Sequence, residues 1–238
     1  MDIKRYKNSA EYSYTLGMAL TIELIRYKKR VVRKVYVHPN YTAKDSGFNI
    51  FDICDSEGVS YEVNQKIFAR LSDKENVFVI GVFDKFDADI SDSPPHVALV
   101  NPGDSGNLGT IIRTGLGFGF KDYVIIKPGV DIYDPKSIRS SMGAVFHSRF
   151  SYFDSFDEYM RQFPQHKVYS FMLNGRTNLR DISKRPDGEF TLVFGNEGAG
   201  LPHNFIDYGE SVYIKHSDEI DSLNLSVAFG IAASVFAE

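Results

Sequence analysis

Phe190-Thr191-Leu192-Val193-Phe194-Gly195-Asn196-Glu197-Gly198-Ala199-Gly200-Leu201-Pro202 joins a five-residue strand directly to a glycine-rich loop. A short, nearly all-apolar run without polar alternation reads as a strand buried on both faces, as in a parallel sheet covered by helices. Ligands of such sheets bind beyond the carboxyl ends of the strands, which is where this loop begins. Its three closely spaced glycines permit positive φ angles and close backbone approach to a ligand. Glu197 in their midst is either an exposed turn carboxylate or part of a site.

Two other polar segments occupy comparable places. Asn101-Pro102-Gly103-Asp104-Ser105-Gly106-Asn107-Leu108-Gly109 follows the apolar run Val97–Val100. Its glycines are spaced GxxGxxG, which matches neither the dinucleotide fingerprint nor the P-loop, so NAD and ATP sites lose support. The segment offers backbone amides at a helix start, with Asn107 near the cap and Arg113 almost two turns in. Asn107, Thr110, Arg113, Thr114 and Gly117 recur at three- and four-residue spacing, which predicts one polar face turned away from Ile111 and Ile112. Arg113 on that face either forks onto a phosphate or pairs with a nearby carboxylate. The third segment, Asp221-Ser222-Leu223-Asn224-Leu225-Ser226-Val227-Ala228, ends a loop and opens a helix that Asp221 or Ser222 could cap. For Ser222, helix cap and ligand contact both remain open. Three such loops meeting at one sheet edge would enclose a small-molecule site.

Outward from these segments the chain alternates helix and strand. The N-terminal part predicts a helix over 10–29, a strand Val31–Val37, a helix Phe48–Cys54 stopping near Gly58, a strand Ser60–Val63, a helix Gln65–Leu71 and a strand Val77–Phe83. An Asp- and Ser-rich stretch then ends in Pro94-Pro95, which no helix interior or central strand accommodates, and marks a domain boundary. Beyond it the pattern predicts strands Val97–Val100, Tyr123–Ile126, Lys167–Leu173, Phe190–Phe194 and Val212–Ile214. Helices are expected over Leu108–Gly117, Lys136–His147, Phe156–Phe163 and Leu223–Phe236. The expectation is two α/β domains, residues 1–90 and 91–238.

Composition narrows the classes. With 238 residues, 43% hydrophobic and 24% charged, the chain can bury a proper core. No run of 18 apolar residues exists, and the N-terminus lacks an apolar signal region, so no membrane span and a cytoplasmic, unprocessed chain are expected. The lone Cys54 allows no internal disulfide, and no histidine pair has i,i+4 spacing, so no metal site is expected. The net charge of −4 hides an asymmetry. Residues 1–40 hold nine Lys/Arg against three acids, and residues 41–95 hold five against eleven. The cluster Arg26-Tyr27-Lys28-Lys29-Arg30 is either a solvated helix end or an RNA-facing patch.

Taken in order, the three segments resemble the signature motifs of the SpoU/TrmH branch of the SPOUT RNA methyltransferases. Asn107-Leu108-Gly109-Thr110-Ile111-Ile112-Arg113-Thr114 is similar to the first motif. Leu192–Leu201 is similar to the second, and Ser222–Ala228 to the third. Arg139-Ser140-Ser141-Met142-Gly143-Ala144 resembles the connecting segment. Gly115 stands where the family usually has alanine, a change expected to loosen that helix modestly. The resemblance implies an α/β trefoil-knot domain with a parallel sheet, preceded by a small ribosomal-protein-like α/β domain that binds RNA. It implies S-adenosyl-L-methionine bound at Leu173, Gly195, Ile214, Ser222 and Leu223, and homodimers built through the knot domain. It further implies methyl transfer to a ribose 2′-hydroxyl of structured RNA, rRNA before tRNA. Arg113 is the central catalytic residue on this reading, with Asn107, Glu197, Ser222 and Asn224 holding it and the ribose in register. The rival readings are a tRNA 2′-O-methyltransferase and a non-catalytic RNA-binding or assembly protein that keeps the fold.

Overall fold

The computed structural model describes residues 3–43, 49–74, 76–182 and 185–237. Its strands form two sheets. The smaller is built from β1 (Tyr12–Tyr14), β2 (Val32–Val37), β3 (Tyr61–Val63) and β4 (Val79–Asp84), in the order β1-β4-β2-β3. β1 and β2 each pair antiparallel with β4, and β2 pairs parallel with β3. Helices α1 (Met18–Lys28), α2 (Ile50–Glu57) and α3 (Gln65–Leu71) cover it. Asn49 and Asn64 cap α2 and α3 through their side chains, and Gly58 ends α2 in the left-handed region.

The larger sheet has seven strands in the order β7-β6-β5-β10-β8-β11-β9, every neighbouring pair parallel. In chain order they are β5 (His96–Val100), β6 (Asp122–Ile126), β7 (Arg149–Phe153), β8 (Lys167–Phe171), β9 (Thr177–Asn178), β10 (Phe190–Phe194) and β11 (Glu210–Tyr213). β5, β6 and β10 are buried along their whole length because both sheet faces are covered. Alternate residues feed different cores: Val97 and Leu99 join Leu108, Ile111, Ile112 and Phe229 on one side. Ala98 and Val100 join Phe156, Tyr159 and Phe163 on the other. Helices α4 (Ser105–Gly117), α5 (Pro135–Ser140) and α7 (Leu225–Phe236) accompany the first side, and α6 (Phe156–Gln162) the second.

Several expectations change. Residues 10–17 are not helical: Tyr12–Tyr14 form β1, whose buried Ser13 hydroxyl donates to the Tyr133 carbonyl at 2.5 Å. A polar residue on the inward face erased the alternation that would have announced the strand. The helix expected over Lys136–His147 stops at Ser140, because Met142 and Gly143 adopt φ of 51° and 88° before a 3-10 turn at Ala144–His147. β7 and β9 went unread, both being edge strands with polar positions. The start of the expected Phe48–Cys54 helix lies outside the described residues, and the helix observed is Ile50–Glu57.

Gly115 does more than lower helix propensity. A Cβ there would lie 2.1 Å from the hydroxyl of Tyr123, which reaches under α4 to the carbonyls of Ile112 and Phe120. Glycine lets α4 settle on the sheet with that buried hydroxyl satisfied.

The two sheets share packing. Leu24 of α1 and Phe83 of β4 belong to the same core as Phe146 and Tyr133 of the larger unit. His147 meets Glu23 at 2.9 Å, Lys85 meets Asp131 at 2.9 Å, and Ala88 bridges to Phe150.

Candidate functional site

The carboxyl ends of the parallel strands gather the three polar segments. Beyond β5, Asp104 caps α4, its Oδ1 accepting the Asn107 N–H at 2.8 Å, while its Oδ2 pairs with Lys136 Nζ at 2.6 Å. Beyond β10, Gly195 passes so close to Gly200 that a Cβ would sit 2.1 Å from the Gly200 carbonyl carbon. Only glycine fits, and the loop folds back with paired Asn196–Gly200 backbone bonds.

Glu197 ties this loop to the first. Its Oε2 accepts the Gly103 N–H at 2.9 Å, and its Oε1 accepts the Asp104 N–H at 3.1 Å and Asn107 Nδ2–H at 3.2 Å. Burial pushes the carboxyl pKa up, but these donors and its own backbone N–H outweigh that and leave it below the ordinary glutamate value. Glu197 is thus held as a carboxylate. Asn107 passes the connection on, its Oδ1 accepting Asn224 Nδ2–H at 3.1 Å. Asn224 in turn caps α7, its Oδ1 accepting from Ser226 N at 2.9 Å and Val227 N at 3.3 Å. Neither Asp221 nor Ser222 is the cap; both stay exposed. Three loops are therefore joined through Glu197–Asn107–Asn224.

A cavity of about 350 Å³ opens beside this chain of bonds. All five residues expected at the methyl donor, Leu173, Gly195, Ile214, Ser222 and Leu223, line it, together with Glu197 and Asp221. Leu173 stands at the mouth, 69% exposed.

Arg113 departs from expectation. It is exposed on α4 and does not line the cavity. Nor do Asn107, Glu197, Ser222 or Asn224 bond to it. The reason is helical geometry: six residues from Asn107 to Arg113 amount to about 9 Å of rise and a rotation roughly 120° off. The two sit at opposite edges of the face turned away from Ile111 and Ile112. Among the described residues Arg113 also has no carboxylate partner, which favours the phosphate-binding alternative.

Sequence reasoning assigned no role to Asn196, whose Nδ2–H donates to the Asn101 carbonyl at 2.8 Å and whose Oδ1 accepts from Gly198 and Ala199 N–H. Asn101 itself has a positive φ of 54°. The polar residue after Gly195 was visible; that it would staple two loops was not. Half of the basic cluster is paired: Arg26 with Glu23 and Lys29 with Glu57, while Lys28 lies over the Phe86 ring; beyond the cluster, Arg33 and Lys34 pair with Asp84 and Glu62. Lys28 and Arg30 have no ion-pair partner among the described residues. No group of three His, Cys, Asp or Glu among them could hold a metal ion, and no described helix is long and apolar enough to cross a membrane.

Residues 94–234, which contain every element of this edge, match the family model described as the SpoU rRNA Methylase family. The chain belongs to that family. A Listeria monocytogenes protein named as a tRNA (cytidine(34)-2′-O)-methyltransferase is 30% identical over 155 residues, 59% of this chain and 85% of the relative. The 23S rRNA (guanosine(2553)-2′-O)-methyltransferase of Bacillus subtilis is 32% identical over 139 residues, 54% of this chain and 52% of that relative. The fold recurs in the AdoMet-bound rRNA methyltransferase structure from Sinorhizobium meliloti, with a TM-score of 0.78 at 24% identity, covering 94% of this chain and 85% of the other.

Proposed function

We propose that this protein transfers the methyl group of S-adenosyl-L-methionine to a ribose 2′-hydroxyl of RNA, and that the RNA is ribosomal. The observation that carries the reading is the hydrogen-bonded closure of three loops beside one cavity at the carboxyl edge. The lining suits the methyl donor. Phe171, Phe194, Val212 and Ile214 offer apolar surface to an adenine, loop backbone offers polar contacts, and Glu197 and Asp221 offer carboxylates to its cationic end.

When bound, the donor supplies an electrophilic methyl on a sulfonium sulfur. The residues do the positioning. Glu197 keeps the first and second loops in register, and Asn107 and Asn224 hold the start of α4 against the start of α7. Arg113 clamps an RNA phosphate through its guanidinium and so aims the adjacent hydroxyl. A guanidinium offers no acceptor and so does not serve as a base; phosphate or water takes the hydroxyl proton. Because Arg113 stands outside the cavity, the RNA spans the distance between them.

Chain coverage supports rRNA. Among solved structures, one described by 2-OH methylation of C/U34 on tRNA covers 61% of this chain, whereas the rRNA methyltransferase structure covers 94% of it. Residues 1–90 then hold the RNA. The family's knot fits the return of the chain after β11, which brings Phe229 of α7 within ring contact of Phe120 and Phe194 near the sheet centre. A homodimer fits the exposed apolar pair Val227 and Ile231, 51% and 38% exposed one turn apart on α7.

Mapping ribose methylation in total RNA with and without the protein tests the assignment. Loss at one rRNA position is the expected result; loss at a tRNA position would replace the substrate, and no loss anywhere would remove the activity. Arg113→Lys is expected to lower turnover about a hundredfold, because Lys cannot fork onto phosphate.

A further inference from the structure

One polar side chain lining the cavity has no place in that mechanism. His216 follows β11, and its ring Nδ1 lies 2.8 Å from the carbonyl oxygen of Ile214, which also lines the cavity. A carbonyl oxygen only accepts, so the hydrogen sits on Nδ1, and in the neutral ring Nε2 is left as a bare acceptor. Among the described residues Nε2 has no hydrogen-bond partner. The ring is therefore pinned at one nitrogen by its own strand end, with the other left for a ligand. A half-buried acceptor with a fixed tautomer discriminates ligands by whether they bring a donor to it.

We infer that His216 is a positioning residue for the methyl donor, its Nε2 accepting a hydrogen bond from the adenosine half. The inference rests on the S-adenosylmethionine reading above and adds a contact to it. That donor molecule carries three kinds of hydrogen-bond donor: the adenine exocyclic amine, the ribose hydroxyls and the α-ammonium. The ammonium is a cation and is matched by the carboxylates of Glu197 or Asp221 in the same cavity. A neutral imidazole next to Val212, Ile214 and Leu223 suits the neutral donors, which belong to adenosine.

The test is titration calorimetry on the full chain with two probes, S-adenosylhomocysteine and 5′-methylthioadenosine, the second lacking the amino-acid end. His216→Asn keeps a donor near Nδ1 and removes the acceptor at Nε2; His216→Gln places an amide oxygen near Nε2. His216→Asn is expected to weaken both probes by the same factor, about tenfold, and His216→Gln to recover binding to within about threefold of wild type. In steady state the KM for the methyl donor rises in His216→Asn while kcat changes little, and melting temperatures stay together. Equal binding by wild type and His216→Asn would overturn the inference. So would a loss confined to S-adenosylhomocysteine, which puts the contact on the amino-acid end, or His216→Gln binding as weakly as His216→Asn. If wild type binds neither probe, the methyltransferase reading fails first, a result no His216 variant can mimic.

Discussion

The two ends of the seven-stranded sheet each carry a polar network, and the networks differ in what surrounds them. At the carboxyl end, Glu197, Asn107 and Asn224 join three loops next to a cavity, and Asn224 is exposed. At the amino end, His96 Nδ1 meets Tyr159 Oη at 2.9 Å, Tyr159 meets Thr191 at 2.5 Å, and Thr191 meets His166 Nδ1 at 3.0 Å. Both histidines donate Nε2–H to carbonyls of the inter-sheet stretch, Ser91 at 2.7 Å and Asp92 at 3.0 Å. Every side chain of this second network is buried. The sealed network is enclosed on all sides and out of reach of a ligand. The open one keeps polar groups and a cavity at solvent. Equal polarity at two ends of one sheet thus signifies different things, and access to solvent decides which.

Breaking the open end gives the largest expected effect. Glu197→Gln replaces one accepting oxygen by an NH2 group facing the N–H groups of Gly103 or of Asp104 and Asn107, a donor-to-donor clash that parts the loops. Turnover is expected to fall about a hundredfold, the scale of an ångström of misplacement, with little change in melting temperature. A large drop in stability with activity per folded molecule intact would show that this network, too, is only structural.

The sealed end responds to acid instead. Burial, reinforced by neighbouring His166, pushes the His96 pKa down from 6.5 to about 4, while the Ser91 carbonyl and Asp122 pull the other way. Between those values the unfolded chain binds the proton and the folded chain does not. The His96 contribution is therefore fully present above pH 6.5 and is lost as pH falls from there towards 4, at most about 3 kcal/mol. Denaturant midpoints measured between pH 7 and pH 4.5 should fall more steeply for wild type than for His96→Asn; parallel curves would contradict the assignment.

The smallest expected effect lies between the two ends, where α4 rests on the sheet. Gly115→Ala pushes a methyl into the Tyr123 hydroxyl and is expected to cost about 1–3 kcal/mol despite the better helix propensity of alanine. Tyr123→Phe in the same chain should return part of that loss. A Gly115→Ala protein as stable as wild type would mean that α4 has room to lift.

The same contrast explains what could be read before the structure was known. β10 coincides with Phe190–Phe194 because a strand buried on both faces is uniformly apolar, and α3 coincides with Gln65–Leu71, whose Ile67, Phe68 and Leu71 form one buried stripe. β1 was hidden because Ser13 points inward to a carbonyl of the other unit, a contact 120 residues away. The cavity residues were legible through ordered motifs, but the bonding among Glu197, Asn107 and Asn224 was not, since it joins positions 90 and 117 residues apart. Arg113 lies on the side of α4 turned away from Ile111 and Ile112, as its spacing indicated, but its six-residue offset from Asn107 puts it at the far edge of that face.

The stretch between the sheets is clipped at Ser91 and Asp92, bridged at Ala88, and flanked by the Glu23–His147 and Lys85–Asp131 pairs. It is a strut and not a tether. On the proposed function, an RNA gripped by the smaller sheet would be presented to the cavity at an offset set once, when the chain folds. The nucleotide modified would then be chosen by ruler length from the gripped feature, and inserting one base pair between grip and target should move the methyl group to a neighbouring residue or abolish it.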